Sequence, residues 1–177
     1  NDSVKDNLVQ LALDAYGSAY AFDSDGLAQY TNNLYNKLMS KDSYTGGDFT
    51  LTTTGAWTDV DATNMSITFT PELVGDFKTT AIFSVSAVST NATNELDVRF
   101  RLTDGTTAST AVPRVKLVTG VTATTNVVPV TLEFTHEDLS AAAKTVKLQY
   151  YLTTRTAMTF KVLANTDDPA QFEVEKT

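Results

Sequence analysis

The stretch WTDVDATNMSITFTPELVGDF, residues 57–77, decides how the rest of the chain is read. Met65, Ile67 and Phe69 are apolar, and Ser66, Thr68 and Thr70 between them are polar. That period of two predicts a strand with one buried and one wet face. Pro71 ends it, because proline has no N–H to give to a ladder. Gly75 supplies a corner, and residues 76–89 return as a long strand carrying Phe77, Phe83, Val85 and Ala87. Trp57, the single tryptophan, is expected to close one end of the core, its ring buried and its N–H satisfied. Nothing in the stretch pairs a nucleophile with a base, cages a metal or cradles a phosphate, so its expected role is to fold the domain.

The same period runs outward from it. Leu96, Val98, Phe100 and Leu102 alternate with Asp97, Arg99, Arg101 and Thr103. Val115 and Leu117 follow, then Val128 to Phe134, Val146 to Leu152, Phe160 with Val162, and Phe172 with Val174. Turn signals such as Asp104-Gly105 and residues 165–169 separate them. The pattern predicts about eight to ten short strands. Only one possible helical turn, around HEDLSAAAK (residues 136–144), falls after residue 43. Strands without crossover helices imply a mainly β, antiparallel sandwich, and the strand number and long connections favour a jelly-roll-like one over an immunoglobulin fold. The chain carries 31 threonines in 177 residues, and threonine's branched, hydroxylated side chain suits the solvent face of a sheet.

Residues 1–44 read differently. Ser3 can cap a helix, and Val4, Leu8, Leu11, Ala15 and Ala19 recur at helical spacing. After Asp23-Ser24-Asp25-Gly26 a second stripe runs through Leu27, Tyr30, Leu34 and Leu38. The polar, glycine-rich segment 40–48 is expected to separate this short helical region from a β domain over 45–177. Helices this short need a partner surface, whether the β domain, another copy or a particle, and Leu27, Leu34 and Leu38 are the candidate anchoring residues.

Composition narrows the function classes. A net charge of −8 opposes nucleic acid and anionic membrane surfaces. No apolar run approaches the roughly 18 residues of a spanning helix, so membrane insertion is not expected. No cysteine is present, so disulfides cannot brace the fold. With one histidine besides, a zinc site and, more broadly, a resident cofactor are not expected. That histidine, His136, is expected in a polar turn at a strand end. Asp59, Asp61 and Asn64, and Asp23 with Asp25, are the best oxygen clusters for calcium, although turn and cap roles account for both. Asn64-Met65-Ser66 and Asn91-Ala92-Thr93 match the glycosylation sequon.

Arg99, Arg101, Arg114 and Lys116 fall on the polar sides of their strands, as does Lys147. Were these strands neighbours, a basic stripe would cross an acidic protein. Cross-strand pairing with Glu95, Asp97 and Glu133 would neutralise it, and a docking face for an acidic surface is the sharper reading.

FTPELVGDF, residues 69–77, resembles the F-x-P-x-x-x-G-x-[YF] corner of trimeric jelly-roll heads such as the tumour-necrosis-factor-like and complement-type globular domains. Residues 49–177 more broadly look like the β domains of phage virion proteins: head fibres, capsid decoration proteins and tail-fibre heads. The resemblance implies a non-enzymatic structural virion protein on the particle surface, a homotrimer whose partners are its own copies and the viral capsid. The alternative it implies is a receptor- or carbohydrate-binding head of a tail fibre, which requires aromatics converging on one rim. Tyr44, Tyr150 and Tyr151 are too scattered in sequence to display one. A polysaccharide depolymerase would require a pair of carboxylates in a cleft, and no pair stands out.

Overall fold

A computed structural model describes residues 38–71, 74–89, 95–110, 113–118, 125–140, 142–153 and 158–177. Eleven strands follow one another: β1 Leu38–Tyr44, β2 Phe49–Leu51, β3 Trp57–Asp59, β4 Ser66–Phe69, β5 Gly75–Ser89, β6 Glu95–Thr103, β7 Arg114–Val118, β8 Thr125–Leu139, β9 Lys144–Leu152, β10 Met158–Leu163 and β11 Ala170–Lys176. They form a six-stranded sheet of β1, β2, β5, β8, β10 and β11, and a five-stranded sheet of β3, β4, β6, β7 and β9. Every pairing between named strands is antiparallel.

Three of the lines are interrupted strands. β11 pairs with β5 from Phe77 to Ile82 and β10 continues along the same edge from Ser84 to Ser89. β1 and β2 in turn pair with β11 and β10, and β3 and β4 share the edge of β9. The breaks match across the ladder. The Gly47 N–H donates to the Ala164 carbonyl at 2.9 Å, and Asp48 Oδ1 accepts from the Ala164 N–H at 3.3 Å and from Asn165 Nδ2 at 2.7 Å. Gly47 sits at φ +138, where a side chain would be strained. Asn165 Oδ1 then accepts the Asp167 and Asp168 N–H groups at 3.0 and 3.1 Å, closing the facing turn.

With each interrupted strand counted once, the eleven strands run as eight lines, four to a sheet. The first line pairs with the last, the second with the seventh, the third with the sixth and the fourth with the fifth. The β unit, Leu38–Thr177, is thus a long hairpin folded back on itself. The β4–β5 corner at Pro71 and Gly75 carries it from one sheet to the other, and Phe69 meets Phe77 across that corner with ring centroids 5.9 Å apart.

One core lies between the sheets. Phe77, Ala81, Phe83, Val85 and Ala87 of β5 and Val130, Leu132 and Phe134 of β8 face Val98, Phe100 and Leu102 of β6 and Val146, Leu148, Tyr150 and Leu152 of β9. These are the apolar positions of the period-two pattern, driven inward by the free energy of removing them from water. Tyr150 keeps its hydroxyl satisfied, accepting the N–H groups of Thr53 at 3.0 Å and Thr52 at 3.3 Å.

Two expectations are corrected. Residues 38–44, expected to hold the last apolar position of a helical region and the start of a polar separator, are β1: β11 offers them a sheet edge whose ladder hydrogen bonds outweigh a weak helical stripe. The β unit therefore begins at Leu38, not after Tyr44, and the glycine-rich segment lies inside a sheet. The possible helical turn around HEDLSAAAK is not seen in its first half: residues 136–139 end β8, which continues to Leu139 because β5 pairs with it, and Lys144 already begins β9. The expected helices of residues 1–37, with Leu27 and Leu34, lie outside the described residues.

Candidate functional site

The outer face of the five-stranded sheet gathers most of the chemistry of the described residues. On β6, Val98, Phe100 and Leu102 point inward, so Asp97, Arg99 and Arg101 point out. On β9, Leu148, Tyr150 and Leu152 are buried, so Lys147, Gln149 and Tyr151 are outward. Register then builds two rows. Trp57, Tyr151, Arg99 and Arg114 follow one another across β3, β9, β6 and β7, and Asp59, Gln149 and Arg101 form the next row.

The second row is locked by hydrogen bonds. Arg101 Nε donates to Gln149 Oε1 at 2.8 Å, Gln149 Nε2 donates to Asp59 Oδ1 at 2.7 Å, and Lys147 Nζ reaches Asp59 Oδ2 at 3.3 Å. Arg101 also stacks on the indole, its Cζ 4.3 Å from the Trp57 ring. Trp57 and Tyr151 rings lie 5.6 Å apart at 58°. Burial pushes the Arg101 pKa down, and no described carboxylate forms an ion pair with it.

β6 and β7 are neighbours, and Arg99 stands opposite Arg114 in their ladder. Arg114 is bound to Asp97, which holds its pKa up through a hydrogen bond and through charge. Arg99 Nη2 is 3.9 Å from Asp97, and Arg99 Nε and Asp97 Oδ1 are buried with no hydrogen-bond partner among the described residues. Lys116 stands opposite Asp97 in the ladder. Glu133 does not neutralise this stripe, since it faces Lys78 on the other sheet. Leu38, the third expected anchor, is the first residue of β1.

Trp57 is the main correction. It does not close the core but lies half-buried on the outer face, because β3 is a short edge strand and Tyr151 stands directly opposite it. Gln149, Asp59 and Tyr151 were not singled out as a group in the sequence, and the signal was there only in their parity with Arg101 along β9 and β3. The calcium cluster is divided: Asp59 belongs to the Gln149 and Lys147 network, while Asp61 Oδ1 caps the following turn through the Thr63 and Asn64 N–H groups at 2.9 and 2.7 Å.

His136 is likewise corrected. It is only 4 % exposed, within β8, with Nε2 3.0 Å from Thr79 Oγ1. Its ring packs on Phe134, centroids 4.1 Å apart, and on Phe69. Burial lowers its pKa, Asp104 opposes that, and Lys144 adds to it. These groups border a cleft of about 370 Å³ at the end of the sandwich.

No family model matches the chain, and no curated protein matches it. Among solved structures it is similar to a pentameric capsid protein isolated from metagenomic phage sequences, at 16% identity over 99% of this chain and 89% of that one, with a TM-score of 0.30. A second pentameric capsid protein from metagenomic phage sequences, solved by iodide SAD phasing, is 15% identical over 99% of this chain and 92% of that one, with a TM-score of 0.28. Scores of this size establish no common fold.

Proposed function

We propose that the chain is a non-enzymatic structural protein of a phage virion, a capsid decoration or head-fibre subunit at the particle surface that assembles as a homotrimer. The supporting observation is the nesting of its strands. Eight lines paired first-with-last down to fourth-with-fifth, four to a sheet, wind as a jelly roll, an architecture that builds viral capsid and lectin domains. The corner from Phe69 to Phe77, which carries the sequence resemblance to trimeric heads, falls at the crossing between sheets.

In this reading the N-terminal segment, with Leu27 and Leu34, attaches the subunit to the particle. Burying leucines of this kind contributes roughly 1.5–3 kcal/mol each. Leu38 leaves the anchor, because it opens β1. The test is co-sedimentation with capsids lacking their own copy. The full chain should pellet with them, and the double substitution Leu27→Ser, Leu34→Ser should stay in the supernatant with its β unit still folded. Light scattering at micromolar concentration should give three times the chain mass. A full chain that ignores such capsids, or a clean monomer, overturns the proposal.

A further inference from the structure

We propose that the outer face of the five-stranded sheet binds a carboxylate-bearing sugar, the Arg101 guanidinium taking the carboxylate and Trp57 and Tyr151 forming the apolar bed for the ring. This rests on the sheet face alone and holds wherever on a particle the chain sits.

Charge is the first argument. Among the described side chains, Arg99, Arg101, Arg114 and Lys147 share this face with two carboxylates, Asp59 and Asp97, on a chain whose net charge is −8. The local reversal is complementary to an anion of limited size, while the surrounding negative charge opposes a long polyphosphate. Pre-organisation is the second. Arg101 spends Nε on Gln149, which is itself held by Asp59, and its carbon lies over the indole. Its terminal N–H groups have no acidic partner among the described residues, so the planar fork is fixed but unfilled. Such a fork suits the two oxygens of a carboxylate.

The third argument selects a sugar over an acidic peptide. Two aromatic rings stand 5.6 Å apart, tilted by 58°, on the outer sheet face beside amide and carboxylate groups. A pyranose presents an apolar C–H face and hydroxyls that both donate and accept, which matches rings flanked by Gln149 and Asp59. A peptide carboxylate would use the arginines and make no use of the exposed edges of the rings. Arg99, whose Nε has no partner among the described residues and whose Nη2 stands 3.9 Å from Asp97, is a second donor beside the first.

Trp57 is the chain's only tryptophan, so its fluorescence reports on this face directly. The full chain is titrated with trigalacturonic acid, with its methyl ester, and with an amide-capped triglutamate peptide. Trigalacturonic acid should shift the Trp57 emission saturably, and the methyl ester and the peptide should bind at least about tenfold more weakly, since both the charge and the ring are needed. Arg101→Gln should weaken the acid about tenfold without changing the far-UV spectrum, Arg101→Lys should recover only part of it, and Tyr151→Ala should weaken acid and ester alike. Lys78→Gln on the other sheet should change nothing. Saturation-transfer NMR on the same ligands repeats the comparison without relying on the indole. No binding by the acid, equal binding by the peptide, or Arg101 variants that bind as the parent does would each overturn the proposal.

Discussion

The guanidinium of Arg101 lies over the indole of Trp57, Cζ to ring centroid 4.3 Å, on the face of the sandwich that looks away from the core. Two residues separated by more than forty positions are thereby joined by the β3, β9 and β6 registers. Replacing Arg101 by Gln should remove about 0.5–1 kcal/mol of stability, the range for a cation–π contact open to solvent. It should also shift Trp57 emission to the red as the indole meets more water. An unchanged spectrum would mean the stack does not persist in solution.

Phe83 and Phe100 meet edge to face between the sheets at 5.0 Å, and both are buried. Phe100→Ala should cost about 3–5 kcal/mol in urea unfolding, because the cavity it leaves is walled by both sheets. A loss under about 1 kcal/mol, the scale of a surface change, would show that the sheets do not pack there.

Acid should weaken the fold through His136. Its folded pKa is lowered from 6.5, mainly by burial and further by Lys144, against the pull of Asp104. Above 6.5 both folded and unfolded chains hold it neutral, and it contributes no slope. As the pH falls below 6.5 the unfolded chain takes a proton that the folded one refuses, so stability drops until the folded pKa is passed. Melting temperatures between pH 7.5 and 5 should fall for the parent and fall less for His136→Gln. Equal slopes would assign the acid sensitivity elsewhere.

The fragment 38–177 should fold alone, with a β-type far-UV spectrum and a cooperative melt, since β1 completes the edge of β11. The fragment 48–177 lacks β1 and exposes that edge, so it should melt lower and aggregate on heating. Identical melts would show that β1 adds no stability.

Much of the β unit was legible in the sequence. The parity of Val98, Phe100 and Leu102, or of Val146, Leu148 and Tyr150, states which side is buried, and the structure places those residues there. Parity cannot tell which strand lies beside which, and the site depends on that. Trp57 reads as a core residue until Tyr151, across β3–β9, is seen to hold it on the outer face. His136 reads as a turn residue until β5 pairs with β8 far enough to bring Thr79 to its ring. Leu38 reads as the end of a helical stripe and residues 40–44 as part of a polar separator, because the strand that captures them comes at the end of the chain. In each case a long-range partner overrides a local preference.

Membership of the virion is tested most directly by quantitative mass spectrometry of gradient-purified phage particles, with immunogold labelling of the same fractions by antibody to the purified chain. The chain should co-migrate with the major capsid protein at a fixed ratio through successive gradients, and gold should decorate the outside of intact particles. A chain that is lost from the particle fractions, or that stays only with the soluble lysate, would contradict a structural role in the virion.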